Sequence, residues 1–169
     1  MVYAERTMPN NAEAEESVIG SLLLDPDGMV KGADILKPSD FFNEAPRRCY
    51  EACLALYSRS DVVDEVTVGE ELARQGRLAD VGGRAYLAAT IRMLPTSLNL
   101  EQYAQMVMRL ALRRNLIGAA SEIAAMSYGG GGDDDLLLAK AEGIIGRLSQ
   151  DATGREARPV RDDGDEFLR

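Results

Sequence analysis

The 169-residue chain has no histidine and no tryptophan. The missing imidazole excludes Ser-His-Asp and Cys-His catalysis, His-ligated metal and the ordinary pH switch near neutrality. Basic residues are scarce as well: 19 Lys+Arg face 28 Asp+Glu, a formal charge of −9. A surface this acidic repels a phosphate backbone unless its cations gather in one place, which disfavours a stand-alone nucleic-acid binder. Only Cys49 and Cys53 carry thiols. Four residues apart, they share one helix face, and a zinc site would need two further N or S ligands that the chain lacks. They read as small apolar residues of a reduced core. No apolar run approaches the ~18–20 residues of a membrane span, and the N-terminus lacks a charged segment leading into an apolar one. A soluble cytoplasmic chain is expected. The lysines are Lys31, Lys37 and Lys140, and none stands in the G-x4-G-K-S/T pattern that cradles nucleotide phosphates.

What the chain does have is helical period from end to end, with no convincing alternation of β-branched residues. A composition of 46% apolar and 28% charged residues is that of an ordinary globular protein. A first helix is expected from Asn10 to about Leu24, capped by Asn10 with Glu13 returning the bond, and burying Val18, Ile19, Leu22 and Leu23. Asp25-Pro26-Asp27-Gly28 stops it. A short helix to Leu36 follows, then a loop in which Phe41 and Phe42 look buried. A third helix has Pro46 in its first turn and runs to about Ser60, with Cys49, Tyr50, Cys53, Leu54, Leu56 and Tyr57 on its apolar face. Thr67 and Glu70 suggest a capping box for a fourth helix closing at Gly76. Gly82-Gly83 turns the chain into a fifth, Arg84 to Leu94.

The second half differs. From Asn99 to about Tyr128 there is no proline, and apolar residues recur at three- and four-residue steps. Gly129 to Gly132 breaks this long helix. Asp133 can cap a return helix carrying Leu136, Leu137, Ala141, Ile144, Ile145 and Leu148. A helix so long cannot be covered by short ones and a single partner, so apolar surface is left for association with another chain. The fold class expected is all-α: an arm (residues 1–9), a compact bundle of short helices (10–97), a long antiparallel helical hairpin (98–150) and a flexible linker (151–169).

No catalytic constellation emerges. Glu13, Glu15 and Glu16 sit in the first turn of a helix, where the macrodipole accounts for them. Asp133, Asp134 and Asp135 lack the spacing of a calcium loop and read as helix capping. Gly129–Gly132 is followed by those aspartates and reads as a connector. Between Asn99 and Tyr128 stand Arg109, Arg113 and Arg114 against Glu101 and Glu122, a net +1 that leaves −10 elsewhere. That makes the long helix the least acidic element. A solvated helix face is the simpler reading, a grazing touch of nucleic acid the other. Arg47-Arg48 has no aromatic neighbour suited to base stacking.

These signals, in order, resemble the N-terminal domain of the bacterial replicative DNA helicase, the DnaB family. Arg6-Thr7-Met8-Pro9 through Glu13-Ala14-Glu15 is similar to that family's R-x-P-P-x-x-x-E-A-E, and Val18-Ile19-Gly20 through Asp25 to its V-L-G-x-x-L-x-D. Asp40-Phe41-Phe42 stands for D-F-Y. Asp64 through Thr67, Leu72, Gly76, Leu78 and Gly82-Gly83-Arg84-Ala85-Tyr86-Leu87 resemble D-x-x-T, L, G-x-L and G-G-x-x-Y-L. Pro95-Thr96-Ser97, Asn99, Tyr103-Ala104, Arg113-Arg114 and Leu116-Ile117 continue the match, which covers about residues 5 to 150. Pro46 stands where many members carry a histidine, so no role of that imidazole transfers, and the four-glycine run is unusual.

The resemblance implies a helical head and hairpin that self-associate as dimers, three dimers forming a collar on a hexameric motor. It implies docking of the primase helicase-binding domain and of a helicase loader. ATP and Mg²⁺, ATP-driven 5′–3′ unwinding and most DNA contact would belong to a motor domain beyond the linker. The stretch from Val160 to Arg169, with Asp165, Phe167 and Leu168, resembles the start of the linker helix. No catalytic, cofactor or metal residue is expected in this chain. Val107, Leu110, Ala111, Ile117, Ile123, Ile144 and Leu148 are the expected hairpin-packing and dimer-seam residues, and Tyr86, Ile117 and Ile123 the candidates for primase contact. A stand-alone helical adaptor or dimeric regulator without helicase parentage is the alternative, and a small DNA-binding protein a third reading.

Overall fold

The computed structural model describes residues 7–25, 27–95, 100–130 and 132–156. Among them every regular element is helical: α1 (Ala12–Leu24), α2 (Gly28–Ile35), a 3-10 turn (Pro38–Asp40), α3 (Glu44–Ser58), α4 (Glu65–Arg74), α5 (Gly83–Arg92), α6 (Leu100–Tyr128) and α7 (Asp134–Glu156). The all-α expectation holds. No helix of the described residues is long and apolar enough to cross a membrane.

The helices form two compact units, and the division falls inside α6, between Gly118 and Ala119. Tyr103, Ala104 and Val107 of α6 belong to the same apolar core as Val18, Ile19, Leu22, Cys53 and Leu87, so the first part of the long helix, expected within the hairpin (98–150), packs with the first unit.

In the first unit α1 is the central helix, packed by α2, α3, α4 and α5. Ala14, Glu15, Ser17, Val18, Ile19, Gly20, Leu22 and Leu23 are all buried, so it is enclosed nearly all round rather than on one stripe. Its cap is Asn11, whose side chain accepts from the Ala14 amide at 3.0 Å. Asn10, the expected cap, instead donates to the Met8 carbonyl at 2.9 Å. Gly20 is required by contact: a Cβ there would lie 2.5 Å from the Thr90 carbonyl oxygen of α5.

Three further expectations change in detail. The capping box of α4 is Asp64 with Thr67, not Thr67 with Glu70. The Thr67 amide donates to Asp64 Oδ1 at 2.8 Å and the Asp64 amide to Thr67 Oγ1 at 3.0 Å. Phe41 is buried and its ring lies 5.0 Å from that of Tyr50, whereas Phe42 turns outward at 43% exposed. Tyr57, counted on the apolar face of α3, is likewise exposed. Gly76 (φ +70°), Gly82 (φ +101°) and Gly83 (φ +73°) close α4 and open α5 in the left-handed region that favours glycine.

In the second unit the end of α6 and α7 make the antiparallel hairpin. Ala119 and Ile144 are buried, and Glu122, Met126, Ala139 and Gly143 line a shallow groove beside Ile144. Asp133 caps α7 as expected, accepting from the Asp135 amide at 3.0 Å. α7 continues past Gln150 to Glu156, with the Thr153 hydroxyl donating back to the Ser149 carbonyl. The expected cap at Asn99, the Thr96-Ser97 match, the start of the arm and the Val160–Arg169 segment lie outside the described residues.

Candidate interaction surface

The root of α6 is seated by small residues opposite it. Gly28 and Gly32 of α2 leave room for Leu100, whose Cδ2 would stand 3.6 and 3.8 Å from a Cβ at those positions. On the rim Lys31 pairs with Glu101 at 3.6 Å.

One turn past the core, Arg114 faces inward. Its guanidinium donates to the Pro9 carbonyl at 2.7 Å and to the Asp40 carbonyl, and lies 5.5 Å from the centre of the Phe42 ring. The loop it grips is held from the other side by Glu15. That carboxylate, 2% exposed, accepts from the Phe42 amide at 2.8 Å, the Asn43 amide at 3.0 Å and Asn43 Nδ2 at 2.9 Å. Residues 40–43 are therefore fixed through their backbone on both faces. Neither role was legible in the sequence, where Glu15 reads as a dipole partner and Arg114 as a solvated or DNA-touching cation. The nearest signals were the E-A-E and D-F-Y matches.

Glu71 of α4 is a second buried acid. Arg74 donates to its two oxygens at 2.6 and 3.0 Å, Gln75 at 2.6 Å and Arg59 at 3.0 Å. The Arg74 guanidinium first, then Arg59 and Gln75, hold its carboxyl down at about 2 against the opposing effect of burial. Burial pushes the Cys49 thiol up to about 12 and raises that of Cys53 too, so both behave as core residues. Among the described residues no group of three or more Cys, Asp or Glu is placed to hold a metal ion.

α6 carries exposed apolar side chains of its own. Met106, Leu112, Leu116 and Ile117 are each between 38% and 45% exposed, with Arg109 and Arg113 exposed among them. The expected seam residues divide between the two units. Val107 and Ala111 are buried, Val107 inside the head core, where it has no surface to give a second chain; Leu110 is half-buried. In the hairpin unit Ile144 is buried and Ile123 and Leu148 are half-buried. Of the three expected primase contacts, Ile117 is exposed and Ile123 half-buried. Tyr86 is half-buried, with its hydroxyl enclosed and its pKa raised by burial and by the nearby Glu16. Met106, Leu112 and Leu116, also exposed, are not among the expected contact residues. They fall off the stripe made by Tyr103, Ala104 and Val107, which the helical period would have revealed once the core side was known.

Comparison with known proteins gives a concordant picture. The DnaB-like helicase N-terminal domain family matches residues 7–109. Replicative DNA helicase DnaB of Geobacillus stearothermophilus is 35% identical over 161 residues, covering 95% of this chain and 36% of that protein. The Mycobacterium leprae DnaB is 38% identical over 125 residues, 74% of this chain and 21% of that one. The chain thus spans about a third or less of the length of these relatives. Among solved structures, the N-terminal domain of DnaB helicase from Mycobacterium tuberculosis superposes with a TM-score of 0.78 at 36% identity, over 83% of this chain and 99% of that one. A DnaB-like replicative helicase, described with its interactions with primase, shares the fold at a TM-score of 0.67 and 21% identity, over 93% of this chain and 36% of that one.

Proposed function

The chain belongs to the DnaB-like helicase N-terminal domain family, and on that footing we propose that it is the oligomerisation and primase-docking domain of a hexameric replicative DNA helicase. It self-associates through the hairpin region, contributes to a collar of three dimers and receives the primase helicase-binding domain or a helicase loader there. ATP and Mg²⁺ chemistry, 5′–3′ unwinding and the principal grip on DNA belong to a motor domain of the parent protein, at work in the cytoplasm. No phosphate-cradling lysine motif in this chain fits the nucleotide.

The observation that carries this reading is the uncovered face of α6, where Met106, Leu112 and Leu116 stand exposed on the longest helix. Burying one such side chain contributes roughly 1.5–3 kcal/mol, enough for a few of them to drive association. Light scattering across the micromolar range tests self-association: a concentration-dependent dimer is expected, weakened by Leu116→Asp. Titration with the helicase-binding domain of the cognate primase, followed by calorimetry, tests docking. A strict monomer rejects the first half of the proposal, and absence of heat and of complex rejects the second.

A further inference from the structure

We propose that the acidic segment 162–168 folds back along α7 and seats in the groove of the hairpin unit, closing it in cis. The groove, of about 380 Å³, has Glu122 and Met126 of α6 on one wall and Lys140, Gly143, Ile144 and Arg147 of α7 on the other. Leu136, Lys140, Gly143 and Arg147 follow one another at steps of four, three and four residues, so they line one face of α7. All four are exposed. Lys140 and Arg147 have no ion-pair partner among the described residues. A Cβ at Gly143 would meet nothing within 4 Å, so no contact inside the unit calls for a glycine, a residue that weakens a helix. What Gly143 provides is room for another main chain to come close.

α7 ends at Glu156, and residues 157–169 follow it in sequence. Within them Asp162, Asp163, Asp165 and Glu166 stand together with no cation between. In an extended segment Asp162, Gly164, Glu166 and Leu168 share one face. Run antiparallel to α7, that face meets Arg147, Gly143, Lys140 and Leu136 in order: acid on cation, glycine on glycine, acid on cation, leucine on leucine. The lengths agree as well. The four residues of the segment span about 20 Å when extended and their counterparts about 16 Å of helix, a difference that the long Lys and Arg side chains take up. From Glu156 to Asp162 the chain reaches about 20 Å, whereas Arg147 lies about 14 Å back along the helix, so there is slack to reverse direction. Run parallel, the segment sets Leu168 beside Gln150 and Asp151, and the chain must first travel the length of the groove. Glu122, on the α6 wall, turns the acids toward the α7 side. A foreign acidic segment would satisfy the same cations, but residues 162–168 are tethered to the helix they match and so are present at high effective concentration. Until salt or a competing acidic segment displaces them, they keep other chains out of the groove.

Carbodiimide coupling on the whole chain tests this, because Lys140 is one of only three lysines and the other two, Lys31 and Lys37, lie in the first unit. The reagent joins an amine to a carboxylate that is in contact with it. An amide between Lys140 and Glu166 or Asp165 is expected, mapped by mass spectrometry on chains of monomer mass, and it should fade at high salt. Arg147→Glu leaves Lys140 in place and should lower that yield by roughly fivefold, since a like charge then faces Asp162. Adding Asp162→Arg to the same chain should restore it, and circular dichroism checks that both variants stay helical. Absence of the Lys140 amide, equal coupling of the same acids to Lys31 and Lys37, or a yield that Arg147→Glu leaves untouched overturns the docked segment. In a mixture of isotopically labelled and unlabelled chains, amides that join the two kinds place the segment on another copy and overturn docking in cis.

Discussion

Glu15 Oε2 accepts from both the backbone amide of Asn43, at 3.0 Å, and its side-chain amide, at 2.9 Å. With Oε1 on the Phe42 amide, one carboxylate satisfies the donors of a loop that has no helix to satisfy them. Glu15→Ala strands those donors beside a void and is expected to cost about 2–4 kcal/mol in urea unfolding. Glu15→Gln keeps one acceptor oxygen and should lose less. Equal losses for the two variants would mean that packing, not hydrogen bonding, is what Glu15 provides.

The glycines of α1 and α6 should respond in opposite directions. Gly20→Ala drives a methyl group into the Thr90 backbone, 2.5 Å away, and should lower stability by about 1–3 kcal/mol. Gly118→Ala sits in a helix with nothing within 4 Å of the added carbon. It should raise stability by about 0.5–1 kcal/mol through helix propensity and a less flexible unfolded chain. Thermal unfolding of both variants separates the two cases.

Glu71 makes stability depend on acid. Its folded-state carboxyl lies at about 2, depressed from 4.5, chiefly by Arg74. A depressed carboxyl stabilises fully above its unfolded value, and that stabilisation is lost as pH falls through the folded value. The stability gap between wild type and Glu71→Gln should therefore be flat above pH 4.5 and close as pH falls toward 2. Urea titrations at a series of pH values read this directly, and a gap independent of pH would remove Glu71 from the account of acid unfolding.

Arg114→Lys is not conservative here. A lysine has no planar fork to bridge the carbonyls of Pro9 and Asp40, nor a guanidinium face for Phe42. Arg114→Lys and Arg114→Ala should each cost about 1.5–3 kcal/mol, the worth of a hydrogen bond from a charged donor. Both should speed hydrogen exchange at the Phe42 and Asn43 amides. Unchanged exchange at those amides would show that Glu15 alone holds the loop.

Helix number and order were legible because each of α1 to α5 is bracketed by punctuation that acts locally: Asp25 through Gly28, Pro38, Gly76, Gly82-Gly83. Caps were harder. Asn10 and Asn11 carry the same side chain, and Asp64 and Thr67 are both residues that favour N-caps, so which one caps is settled by how the preceding chain enters the helix. Glu15 and Arg114 were illegible for a different reason: their partners lie 27 and 105 residues away in sequence. The division inside α6 was hidden because its period continues unbroken past Gly118, while what it packs against changes.

The bond from Arg114 back to Pro9 has a consequence for synthesis. α1 is among the first elements of this chain to leave the ribosome, yet its enclosure is finished by Tyr103, Ala104 and Val107, and the segment leading into it is latched at Pro9 by Arg114, 105 positions downstream. Until α6 emerges, the early helices hold an open cleft where it belongs, and that nascent stage is when they are most exposed to chaperones and to wrong partners.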